Sequence, residues 1–162
     1  MVKYFEDFQV GDVVELGGRT LTREEIIAFA RQYDPQPFHV DPERAKDSLF
    51  GGLVASGWHT AATYMRLLVD GLLNDTVSMG SPGLDELRWI KPVHPGDPLR
   101  ARFTVLTRIP SKSRPELGII RGRGEVLNGA DEVVMSVVSV GFFGRRPNED
   151  DRPPRSSPLT DA

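Results

Sequence analysis

The chain has 162 residues, enough for one domain with a substantial hydrophobic core. Its 20 Lys/Arg and 23 Asp/Glu give a formal net charge of −3, without the basic excess of a nucleic-acid binder. The absence of cysteine excludes disulfides, thiolate catalysis and cysteine-ligated metal sites, and fits a cytoplasmic protein.

The N-terminal stretch Met1–Asp7 has no apolar core of a signal peptide, so none is expected. A short strand is predicted at Val13–Leu16, after the turn at Gly11-Asp12. Thr22 and Glu25 then have capping-box spacing, and Leu21 with Ile26 has the spacing of a hydrophobic staple. Ile26, Ile27, Phe29 and Ala30 supply the apolar stripe of the helix that follows, and Pro35 ends it.

The segment Tyr33–Asp41 contains an acid, Asp34, and an imidazole, His39, five residues apart with two prolines between them. Each proline fixes its own φ and disfavours the α region for the residue before it. The segment therefore reads as a rigid, non-helical loop holding a carboxylate and an imidazole in fixed relation, as a general acid/base pair requires. Asp41 as N-cap and Pro42 at the first helical position open a second, short helix, which Phe50-Gly51-Gly52 breaks. Gly51-Gly52 lacks the lysine and spacing of a phosphate loop.

Leu53–Ser56 leads through Gly57 into a helix expected to run to about Leu73. Its start presents unpaired N–H groups, as an oxyanion site requires. Trp58, Ala61, Ala62, Met65, Leu68, Val69 and Leu72 cover most of its circumference, the pattern of a buried helix. Arg66 and Asp70 interrupt it, and it is too short and polar to span a membrane. Strands are predicted at Leu84–Ile90, Leu99–Thr107, Gly118–Leu127 and Glu132–Phe143, with Asn128-Gly129 as a hairpin turn. Apolar residues of both parities in Val133–Phe143 imply burial on both faces. From about residue 147 apolar residues nearly vanish, so residues 1–146 form the expected domain and 147–162 a disordered tail. The predicted architecture is α+β, an antiparallel sheet curled round one central helix.

Residues 88–146 hold eleven Lys/Arg against five Asp/Glu, which suits either a phosphate-bearing ligand or a solvated strand face. Arg121 and Arg123 share one strand face and are candidates to meet such phosphates. His59, in the first turn of the central helix, reads as a core or interface histidine, and His94 as part of a Pro/Gly turn. Three histidines this dispersed form no metal pattern.

Asp34, Pro37, His39, Asp41 and Ala45, followed by Phe50 and Gly57, resemble the signature of the MaoC-like dehydratases. These are the (R)-specific enoyl-CoA hydratase branch of the hotdog fold. The run Arg88–Asp97 is similar to the family's strand and turn after the central helix, and the resemblance covers about residues 5–145. It implies that Asp34 and His39 bind and activate a water across a trans-2-enoyl thioester, while the Gly57 N–H polarises the thioester carbonyl. The product is a 3-hydroxyacyl-CoA. Which of Asp34 and His39 is base and which is acid stays open. Where the family commonly has histidine before that glycine, this chain has Ser56. Ser56 and Trp58 are expected at the substrate pocket, with Trp58 shortening or shaping the acyl channel. The resemblance further implies a homodimer or higher homo-oligomer and no cofactor or metal beyond the coenzyme A of the substrate, while the charge balance and the interrupted apolar run imply no nucleic-acid or membrane partner. The competing readings are a hotdog thioesterase using a carboxylate such as Asp70, and a non-catalytic acyl-CoA-binding protein.

Overall fold

Thr22 accepts the Glu25 N–H at 3.1 Å while the Glu25 carboxylate accepts the Thr22 N–H at 2.9 Å. This reciprocal cap starts α1 (Arg23–Tyr33) in the computed structural model, which describes residues 1–147. The Pro-rich segment departs from the expected loop. Gln36 is extended, as its place before Pro37 demands, but Pro37 then takes the first position of a one-turn helix, α2 (Pro37–Val40). His39 is therefore set by a helical turn. A proline disfavours helix in the residue before it, not in those after it. Asp41 caps the next turn, α3 (Pro42–Ala45), by accepting the N–H groups of Glu43 and Arg44.

The sheet consists of β1 (Val13–Thr20), β2 (Gly83–Trp89), β3 (Pro98–Pro110), β4 (Leu117–Leu127) and β5 (Val133–Gly144). Its order is β1-β3-β4-β5-β2 with every pair antiparallel, so β1 and β2 are its edges. β1 runs four residues beyond the expected Leu16, because Gly17, at φ 88°, forms a bulge that lets pairing with β3 continue. The connection after β4 takes in the expected residues 128–131 and adds Glu132, and the turn within it is not built on Asn128-Gly129. The ladder ends at Leu127–Val133, and the left-handed residue is Asp131, at φ 60°, rather than Gly129. The Asn128 side-chain carbonyl accepts the N–H groups of Ala130 and Glu132 and closes this wider loop.

The sheet curls round α4 (Gly57–Gly71), the hotdog arrangement expected. The inward face of β4 carries Gly118, Gly122 and Gly124 where side chains would otherwise stand. A Cβ at each would overlap the ring of Phe5, Phe103 or Tyr64 respectively. Three aromatic rings thus occupy the space above a smooth backbone, and Tyr64 links α4 to that layer.

α4 is covered on one side only. His59, Thr60, Thr63, Tyr64, Leu67 and Leu68 are buried, while Trp58 and Met65 are 56% and 47% exposed. The expected burial nearly all round is not met within one chain, because Trp58, Ala62 and Met65 lie on the side of α4 that the sheet does not reach. Beside α4 an apolar groove of about 320 Å³ remains open against β2 and β5.

Arg145 and Arg146 tie the end of the sheet to Glu6 and Asp7 at 3.0 and 2.7 Å. The expected tail lies, from residue 148 onward, outside the described residues. Among the described residues no helix is long and apolar enough to cross a membrane.

Candidate active site

The segment Leu53–Ser56 threads between α2 and the turn after β2. The Val54 N–H donates to the Phe38 carbonyl at 3.2 Å, and the Ala55 N–H to the Val93 carbonyl at 2.8 Å. The Val54 carbonyl faces back to α2 and lies 2.7 Å from His39 Nδ1. A carbonyl only accepts, so Nδ1 carries the proton. In neutral His39 the other nitrogen, Nε2, then presents a lone pair. Phe38 packs edge-on against the same ring at 4.5 Å and fixes its tilt.

Asp34 caps the C-terminus of α1, and two side chains hold its carboxylate. The Ser56 hydroxyl donates to Oδ2 at 2.6 Å, and Gln36 Nε2 donates to Oδ1 at 2.8 Å. His39 Nε2 stands 3.4 Å from Oδ2. That is long for a hydrogen bond and fits two acceptors facing one another. Burial opposes ionisation of Asp34, the bonds from Ser56 and Gln36 favour it, and His39 favours it further only when its ring is protonated. The carboxyl is held below the usual range.

Ser56 is also the N-cap of α4, accepting the Trp58 N–H at 3.3 Å. The next residue, Gly57, is the first of the helix, and its N–H has no partner among the described residues. One cleft of about 460 Å³ is lined by Asp34, His39, Gly57, Trp58 and Trp89 among others. It therefore combines an ionised carboxylate, an imidazole with a free nitrogen and a donor at a helix N-terminus. These can take a proton, return one, and stabilise a developing oxyanion.

The structure brings Asp34, His39, Gly57 and Trp58 to this cleft and places the other candidates elsewhere. Ser56 is fully buried, at 0% exposure, and contacts Asp34 rather than open space. Arg121 and Arg123 point to the outer face of the sheet, because the alternating glycines of β4 take the inner one. Arg121 there pairs with Asp85 at 2.6 Å. His59 is stacked on Phe29 at 4.5 Å, and burial pushes its pKa down against the pull of Glu25.

Sequence reasoning missed Gln36 and Trp89. Gln36 lies inside Tyr33–Asp41, where its place before Pro37 sets its backbone and gives no sign that its side chain holds Asp34. A Cβ on Gly57 would overlap the Trp89 indole, so Gly57 serves close packing as well as presenting its N–H. Nothing local to Trp89 in the sequence announces that contact.

The fold and site can be set beside known proteins. The crystal structure of the MaoC-like dehydratase from Rhodospirillum rubrum superposes with a TM-score of 0.83 at 45% identity. The match covers 90% of this chain and 99% of that one. The uncharacterized protein YdeM of Bacillus subtilis is 34% identical over 116 residues, 71% of this chain and 80% of its own length. The 3-hydroxybutyryl-CoA dehydratase of Methylorubrum extorquens is 28% identical over 141 residues, 83% of this chain and 80% of that protein. The model of the MaoC like domain matches residues 7–118, a span that contains Asp34, His39, Ser56, Gly57 and Trp89. The chain belongs to the MaoC-like dehydratase family.

Proposed function

We propose that this chain is a hydro-lyase that reversibly adds water to a trans-2-enoyl-CoA to give a 3-hydroxyacyl-CoA. One observation carries the reading: Asp34 and the free nitrogen of His39 face each other beside the unpaired N–H of Gly57. In an enoyl thioester the β-carbon is electrophilic. Water forms a C–O bond there while one of its O–H bonds breaks, the α-carbon gains a proton, and negative charge passes through the carbonyl oxygen. Asp34 and His39 take and return the protons as one coupled unit. The Gly57 N–H stabilises the oxyanion, a contribution of about 3–4 kcal/mol for such donors. The dehydratase from Methylorubrum supports a coenzyme A thioester as substrate. Coenzyme A enters with that substrate, and the steps above need no further cofactor. A cytoplasmic location is part of this reading and rests on the cysteine-free sequence.

A homodimer also belongs to the proposal. The edge strand β2 and the uncovered side of α4 together expose Leu84, Trp89, Trp58 and Met65, an apolar surface that a second copy can cover. The thioesterase reading has less support, since Asp70 is exposed and paired with Arg66 at 2.5 Å.

The test is a panel of enoyl-CoA and 3-hydroxyacyl-CoA thioesters, followed by the conjugated enoyl absorbance. Loss of absorbance from the former and gain from the latter is expected. Release of free thiol without an absorbance change consistent with hydration would favour the thioesterase.

A further inference from the structure

We propose that Trp89 sets the acyl length this site accepts, by closing the passage from the cleft to the apolar groove beside α4. The inference rests on the thioester reading above.

Gly57, Ala61, Tyr64 and Leu68 are spaced as one stripe along α4. Gly57 lines the cleft, and Ala61, Tyr64 and Leu68 line the groove. The opposite wall shows the same hand-over. Trp89 lines the cleft, and Leu87, two residues earlier on the same face of β2, lines the groove. The two hollows therefore follow one another along the same helix and strand, about one helical turn apart. At their junction the Trp89 indole stands where a Cβ of Gly57 would be. Trp58 meets this indole edge-on, with ring centroids 5.1 Å apart, and braces it from the cleft side. Trp58, the residue to which the sequence assigned the limit on chain length, is thus the support and Trp89 the barrier.

A thioester whose carbonyl faces the Gly57 N–H must send its acyl chain past the Cα of that glycine to reach the groove. The groove's 320 Å³ is about twice the roughly 150 Å³ that accommodates benzene, so it has space for several methylenes. With Trp89 in place that space is out of reach, and the reacting acyl group is short. Each methylene admitted to apolar surroundings is worth roughly fourfold in affinity, so opening the passage should read out steeply with chain length.

The experiment uses the full chain and two substrate series. Saturated acyl-CoAs from butyryl to decanoyl are measured for binding by calorimetry, and the matching trans-2-enoyl-CoAs for turnover. The wild type should favour the shortest members. Trp89→Ala should move both rankings toward longer chains, by at least about tenfold for chains that gain two or more buried methylenes. Trp89→Phe, which keeps a smaller ring over Gly57, should shift them less in the same direction, and it serves if Trp89→Ala does not fold. Trp58→Ala should give a smaller shift than Trp89→Ala. A folded Trp89 variant with unchanged binding and turnover rankings overturns the barrier and leaves the hydratase reading standing. Chain-length-dependent binding that shifts in Trp89→Ala, with no enoyl-CoA hydrated by any form, overturns the hydratase reading and leaves the barrier standing.

Discussion

The cleft and the groove lie end to end along α4 and are built in opposite ways. In the cleft, polar groups are held by named partners. Asp34 accepts from Ser56 and Gln36, and His39 is fixed through the Val54 carbonyl. In the groove, shape comes from packing, and the Tyr64 hydroxyl in its wall has no hydrogen-bond partner among the described residues. Directional bonds position the groups that exchange protons, whereas the groove needs only volume and an apolar lining. Chemistry and stability should therefore respond to different substitutions, and that separation can be tested.

The largest expected effect falls on the cleft. Asp34→Asn and His39→Ala should each lower hydration turnover by at least ~10², with little change in melting temperature. Steady-state kinetics beside thermal unfolding check this, and near-wild-type turnover by either variant removes that residue from the mechanism. Next, Gly124→Ala should act on stability. Its new methyl group meets the Tyr64 ring, and overpacking of this kind costs about 1–3 kcal/mol. Denaturant titration measures the loss, while the pH profile of the folded variant should match the wild type. A Gly124→Ala chain as stable as wild type would show that the ring layer yields freely.

Ser56→Ala is the sharper test because Ser56 serves both the helix and the site. Losing its cap should cost about 0.5–2 kcal/mol. Its loss also removes one of the bonds that lower the Asp34 pKa, so that pKa should rise. The depressed wild-type value contributes stability above the unfolded pKa of about 3.9, and that contribution is lost as pH falls through the folded value. Asp34 is therefore ionised well before neutrality, and the acid limb of activity that the Asp34–His39 pair produces should move to higher pH in Ser56→Ala. An acid limb that stays in place would mean that Ser56 acts on the helix alone.

Most elements were legible because their signals are local. The α1 cap lies within Thr22–Glu25, and the strands after α4 lie between clear Pro, Gly and Asn breakers. Asp34 and His39 were legible for a similar reason, since one short segment carries both. Other features depend on pairings that cross the chain. The Ser56–Asp34 bond spans 22 residues, and the Trp89–Gly57 contact forms only when β2 reaches the start of α4. Two local signals were present but unread. A serine before the first helical residue marks an N-cap, and glycines alternating within a strand mark close approach by other groups. The second also explains why Arg121 and Arg123 face outward, since the glycines between and beside them face the core.

Ser56 also joins the birth of a helix to the readiness of a reaction. Its hydroxyl oxygen receives the Trp58 N–H while its proton goes to Asp34, and the adjacent peptide supplies the Gly57 donor. Fraying of the first turn of α4 would release the carboxylate and misalign that donor in a single event. The site would then switch off as a unit, without lingering in a form that polarises a thioester but mishandles its protons. Amide exchange at Trp58 should accordingly report the population of the assembled site, because the opening that exposes this N–H is the one that dismantles the cleft.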